Sequence, residues 1–233
     1  MKATIEDVLK YSICPKLYSL KGDLPLMGEG LNKELLALST FTLRKMLESG
    51  SAPSWKQVQT KWTKIFWQNK DTSDKVLITI YNRSQIGLRD FYGWIQSVPS
   101  SVLGINFLIS STNARHNLSG SIPGIIAKED STVELLYILG FRSDLHAKLN
   151  LEVQFLSAIM HNEISVSRIT VMNLSHKGAF AFTHIYPDAS YWAAVTIEMS
   201  SILSSMHTGL SYRNLFACEG CSVESKCLVS FGK

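Results

Sequence analysis

The sequence predicts an α/β chain of the α+β kind: a helical portion over residues 1–100, a mixed β-sheet core with a C-terminal helix over 101–211, and a cysteine loop over 212–233. Three observations predict it. Apolar residues recur at helical intervals through the first portion and then gather into short runs rich in β-branched residues. One cysteine near the start, Cys14, is matched by three bunched near the end, Cys218, Cys221 and Cys227. With 233 residues, 26.0 kDa and 45% hydrophobic residues the chain can bury a sizeable core. No repeat, low-complexity tract or linker divides it, so a single domain is expected.

Taken in order, Thr4-Ile-Glu-Asp7 reads as a capping box, and Ile5, Val8, Leu9 and Ile13 follow helical spacing until Pro15, which places Cys14 at a helix break. Leucines and Phe41 mark a helix from Leu31 to Leu47 that Gly50 ends. Trp55, Val58, Trp62, Ile65 and Phe66 form an amphipathic face after Pro53. Thr72-Ser73 is the expected cap of a helix carrying Val76, Ile80, Ile86 and Phe91 towards Trp94. Val102–Ser110, Leu118–Ala127 and Val133–Phe141 then read as three strands, separated by turn signals at 113–116 and 128–130. Leu151–Met160 returns to helical spacing. Ile164–Leu174 and Ala179–Tyr186 read as a hairpin across His176-Lys177-Gly178, and Ala189–His207 as a long helix.

The cysteines are the most specific pattern. Cys218 and Cys221 stand at CxxC spacing with Cys227 six positions on, so one loop can present three sulfurs to a single centre, and Cys14 is the remaining thiol for a fourth ligand. Two disulfides, or four unrelated buried thiols, are the alternatives. Four thiolates suit both zinc and an iron–sulfur cluster, and the one-plus-three arrangement leans towards a cluster.

The net charge of +4 and pI of about 8.8 permit nucleic-acid contact without demanding it. No apolar run approaches the ~20 residues that span a bilayer, and the N-terminus reads as a capped helix and not a leader. A cytoplasmic protein with no membrane partner is the expectation.

With Cys14-Pro15-Lys16-Leu17-Tyr18 at the front, CxxC-x5-C at the back and helices followed by βββαββα between, the chain resembles the iron–sulfur branch of the RecB-type PD-(D/E)XK nucleases, which includes the CRISPR adaptation exonucleases and the nuclease domain of AddB. The resemblance spans nearly the whole chain. It implies a restriction-endonuclease-like sheet core whose chain ends are joined by a 4Fe-4S cluster on Cys14, Cys218, Cys221 and Cys227, structural zinc being the alternative.

It also implies carboxylates and a lysine on adjacent strands, holding magnesium or manganese against a scissile phosphate. Here the match fails residue by residue. The family's Gly-x-x-x-His has its glycine in Gly28 but Asn32 for histidine, and its Gly-x-Ile-Asp falls on Gly120-Ser-Ile-Pro123. Its Asp/Glu-x-Lys falls on Tyr137 and Leu139, and of its Gln-x-x-x-Tyr only Gln154 is kept, with Ala158 at the tyrosine position. An alternative register offers Glu134, with Asp130 and Asp144 flanking the same strand, although an odd slip turns a side chain to the other sheet face. The plain reading of Glu134 and Asp130 is solvated turn or strand-end charge, and that of Asp144 and His146 is loop solvation.

A degenerate nuclease-like protein follows, acting in nucleic-acid binding or as an accessory subunit of a DNA replication, recombination or processing complex, or of a virus-encoded one. Lys16, Lys21, Arg44, Lys45, Arg115 and His116 are the candidate phosphate contacts for single-stranded DNA, supported by Lys33, Lys56, Lys61 and Lys64. Trp55, Trp62 and Trp67 are either stacking faces or core. Two other classes stay open. One is an active single-strand exonuclease using Glu134, Asp130 and Gln154 with magnesium or manganese; the other is a structural assembly subunit without nucleic-acid contact.

Overall fold

A computed structural model describes residues 2–22, 31–98, 101–112, 117–138, 146–174, 178–210, 223 and 227. Among them the order is β1 (Lys2–Thr4), α1 (Ile5–Ile13), α2 (Pro15–Ser19), α3 (Asn32–Ser49), α4 (Trp55–Phe66), α5 (Lys75–Ser97), β2 (Val102–Thr112), β3 (Asn117–Ala127), β4 (Val133–Ile138), α6 (His146–His161), β5 (Val166–Leu174), β6 (Phe180–Ile185) and α7 (Ala189–His207). The βββαββα order expected from the sequence is present. The Leu139–Phe141 end of the third expected strand lies outside the described residues.

Local chemistry explains most of the boundaries. Thr4 and Asp7 form the expected reciprocal cap on α1, with Thr4 N–H donating to Asp7 Oδ2 at 2.8 Å. Cys14 is extended at φ −158°, ending α1, and Pro15 opens α2 at the position where a missing N–H is harmless. Gly50 closes α3 in the left-handed conformation. The cap of α5 is Asp74 and not Thr72-Ser73: its carboxylate accepts from Val76 N–H at 2.7 Å and Leu77 N–H at 3.3 Å.

Among the described residues six strands form one mixed sheet. β2, β3 and β4 are an antiparallel meander, β4 and β5 run parallel on either side of α6, and β6 closes the far edge antiparallel to β5. The short β1 pairs parallel with the start of β3. One face of the sheet packs Val133, Leu135, Tyr137, Ile169 and Val171 with buried residues of α1, α6 and α7. The other packs Ile126, Leu136, Met172 and Leu174 with α3, α4 and α5. Both faces are covered, giving three layers.

Trp62 belongs to the second core. It is fully buried and donates from Nε1 to Ser84 at 2.9 Å, which removes it from the stacking faces considered above. Trp55 and Trp67 are half-buried beside the same core. No helix among the described residues is long and apolar enough to cross a membrane.

Candidate functional site

Glu134 is the centre of the most polar buried cluster described. Its place in β4 turns it towards α5, and it is fully buried, contrary to the solvated strand-end reading. Four side chains from three directions meet it. Arg168 of β5 donates from Nη2 to Oε2, Lys128 lies 3.8 Å from the same oxygen, Thr170 donates to Oε1 at 2.6 Å, and Trp94 of α5 donates from Nε1 at 3.4 Å. The register explains the convergence: Glu134 pairs with Arg168 across β4–β5, and Thr170 with His184 across β5–β6. Thr170 Oγ1 and His184 Nδ1 are 2.9 Å apart, which extends the network to the sheet edge. A carboxylate removed from water is tolerable when cations and donors surround it.

This network borders an open groove of about 590 Å³ between the C-terminal half of α5 and strands β5 and β6. Arg89, Asp90, Gly93 and Ser97 line it from the helix, and Arg168, Phe182 and His184 from the strands. At the other end of β6 the helix closes on the sheet. A Cβ at Gly87 would lie 2.2 Å from Phe180 Cδ2, and Gly178, at φ +80°, comes so near the helix that its Cβ would be 2.4 Å from Ile80 O.

Of the positions that the family resemblance assigns to metal-binding acids, Tyr137 lies on the opposite face. Gly124 pairs with Leu136, so Pro123 and Tyr137 are neighbours one step further along β3 and β4. Tyr137 is buried, takes a 3.2 Å hydrogen bond from Ser157 of α6, and burial pushes its phenol up. Pro123 sits opposite Asn106, which has φ 50°, and neither joins the pairing that holds at Ile105–Gly124 and Phe107–Ile122. The two-residue alternation breaks here: Leu118, Ile122 and Ile125 share the α6-side core, whereas Ile126 joins the other.

The other candidate acids do not converge with Glu134. Asp130 is an exposed turn carboxylate accepting from Thr132 Oγ1 at 2.5 Å and Thr132 N–H at 3.1 Å, and those bonds hold its carboxyl below the usual range. Gln154 is half-buried on α6, and Asp144 lies outside the described residues, as does the side chain of His146. Among the described residues no group of three or more His, Cys, Asp or Glu side chains is placed to hold a metal ion.

Two of the four cysteines are described, and both are buried. Cys14 shares a small apolar cluster with Ile13, Leu17 and Val223, and Cys227 donates its N–H to Val223 O at 2.9 Å. Residues from the two ends of the sequence therefore meet. Tyr11 OH adds a 2.9 Å bond to Leu210 O between the same regions. Cys218 and Cys221 lie outside the described residues.

Of the candidate phosphate contacts, Lys21 and Arg44 are exposed, Lys16 is half-buried, and Lys45 is exposed and paired with Glu48 at 3.1 Å. Arg115 and His116 lie outside the described residues. A second groove, about 570 Å³, runs along α4 and is lined by Lys56, Lys61 and Lys64 with Phe41 and no acid. Lys61 Nζ stands 5.1 Å from the Phe41 ring centroid.

No protein-family model matches the sequence, and no curated protein matches it. Among solved structures, the chain is similar to a candidate exonuclease from Eubacterium rectale at 9% identity and a TM-score of 0.47, covering 91% of this chain and 84% of that one. It is also similar to LHK-Exo, solved in complex with dAMP, at 11% identity and a TM-score of 0.32, covering 76% and 92% of the respective chains.

Proposed function

We propose that this chain is a catalytically degenerate relative of the iron–sulfur PD-(D/E)XK nucleases that binds single-stranded nucleic acid as an accessory component of DNA processing. The observation that carries this reading is the state of Glu134. Arg168, Thr170, Trp94 and Lys128 surround it, so its oxygens are committed to protein donors and not to a metal ion. The family's two acid positions, held here by Pro123 and Tyr137, offer no oxygen ligand of the hard, ionised kind that magnesium or manganese prefers.

The lysine groove on α4 supports the binding half of the proposal, since three cations without an acid match a phosphodiester backbone. The meeting of Cys14 with Val223 and the Cys227 segment supports a four-thiolate site holding a 4Fe-4S cluster on Cys14, Cys218, Cys221 and Cys227. Such a group would tie the chain ends and couple metal binding to folding. Anaerobically purified protein is expected to be brown and to contain iron and sulfide, and Cys221→Ser to be colourless or insoluble. Zinc in their place would replace the cluster with a structural zinc site.

Fluorescence anisotropy of a labelled single strand tests the binding claim. Three phosphate contacts predict a slope of about −2 in log affinity against log salt, which Lys56→Ala, Lys61→Ala and Lys64→Ala together flatten. Absent or salt-insensitive binding contradicts it. One observation favours the assembly-subunit reading instead: on β2, Leu103 and Leu108 are 55% and 81% exposed.

A further inference from the structure

The groove beside α5 shares no lining residue with the lysine groove on α4, and its composition points to a separate ligand. The first pointer is His184. Glu134, ion-paired with Arg168, can only accept hydrogen bonds, so the single Thr170 hydroxyl proton goes to Glu134 Oε1. The 2.9 Å contact between Thr170 Oγ1 and His184 Nδ1 is then donated by the ring. Nε2 is left as the ring's other polar atom at the groove wall, an acceptor when the imidazole is neutral and a donor when it is protonated.

The second pointer is Gly93, four residues before the end of the 23-residue helix α5. Its φ is not among the positive values, and a Cβ built on it meets nothing within 4 Å. Neither backbone conformation nor packing calls for glycine here, and a helix interior disfavours it. Gly87, six residues earlier, has a packing reason in Phe180. What Gly93 does is keep the groove wall low between Arg89 and Ser97, one turn to either side. The third is Arg168, which lines the groove while its Nη2 is held by Glu134, so its guanidinium is fixed in place before any ligand arrives.

We propose that this groove binds a nucleoside phosphate, either free or at the end of a strand. Arg89, Arg168 and His184 meet the phosphate oxygens, the planar base lies along Phe182, and Asp90 accepts from a sugar hydroxyl or base amino group. At about 590 Å³ the space suits a ligand of that size. The proposal does not depend on the lysine groove, because a mononucleotide is too short to need it.

The test is a calorimetric titration of the full chain with AMP, with inorganic phosphate, and with single strands carrying or lacking a 5′ phosphate, repeated on Arg89→Ala and Gly93→Leu. Arg89 and Gly93 are exposed, so both variants are expected to fold, which circular dichroism checks. Saturable AMP binding that weakens roughly tenfold in Arg89→Ala, about the loss of one charge-assisted hydrogen bond, and at least as much in Gly93→Leu assigns a free nucleotide. Binding of the 5′-phosphorylated strand alone, with the same two losses, assigns a strand end. Binding of neither, binding unchanged in both variants, or phosphate bound as tightly as AMP overturns the proposal.

Discussion

The two faces of the sheet treat acidic chemistry in opposite ways. On the α6 side, a buried Tyr137 stands where the resemblance would put an acid, and burial pushes the carboxyl of nearby Glu152 up. On the α5 side, β4 buries Glu134 completely but surrounds it with Arg168, Lys128, Thr170 and Trp94. The difference teaches that burial alone does not decide whether a carboxylate is tolerated; the donors brought within reach by neighbouring strands do. It also separates a closed face, where the resemblance would put a metal site, from one whose polar network reaches an open groove.

The strongest way to break this contrast is Tyr137→Asp, which puts an acid back on the closed face. It removes a buried aromatic ring and leaves a charge without a cation, so the expected loss is about 4 kcal/mol or more, enough to prevent folding or shift the urea midpoint sharply. A folded variant with magnesium-dependent cleavage would show that the face is not closed. Next is Glu134→Gln, expected to cost about 2–4 kcal/mol by chemical denaturation because Arg168 loses its ion partner. A neutral outcome would mean that the cluster contributes little to the α5 face.

Two substitutions on one helix sharpen the contrast between closed and open ends of the α5–β6 contact. Gly87→Ala forces a methyl group into Phe180 and is expected to cost about 1–3 kcal/mol. Gly93→Ala meets open space and is expected to add about 0.5–1 kcal/mol through helix propensity. Equal effects would contradict the described approach of β6 to α5. The smallest effect is a pH dependence. Because the folded Glu152 carboxyl is raised above its unfolded value, the native state binds more protons, and stability falls as pH rises through the unfolded and then the folded value. Glu152→Gln should therefore flatten the acid side of the stability profile and raise the neutral Tm slightly, by about 1–3 °C.

Much of the fold is legible in the sequence because its signals are local. The Thr4–Asp7 box, the break at Cys14-Pro15 and the helical spacing in α3, α4 and α5 all depend on a few adjacent residues, as do the two strands β5 and β6, whose connecting residues 175–177 lie outside the described residues. The candidate site is less legible. Val133-Glu-Leu-Leu-Tyr reads as an apolar run with a charge at its end, and nothing in it says that Arg168 and Thr170, on the strand beyond α6, will be its neighbours. That knowledge needs the register. Lys2–Thr4 is too short to carry a strand period, and Asp74 lost the cap assignment to Thr72-Ser73 because several capping residues stand in a row.

The most direct test of the central claim, a nuclease-like fold that binds without cutting, is to incubate the full chain with end-labelled single-stranded DNA in magnesium and in manganese, following retention and product length together. Salt-sensitive retention of full-length strand is expected in both metals. Shortened products that disappear in Glu134→Gln or Asp130→Asn would contradict it and restore the active exonuclease.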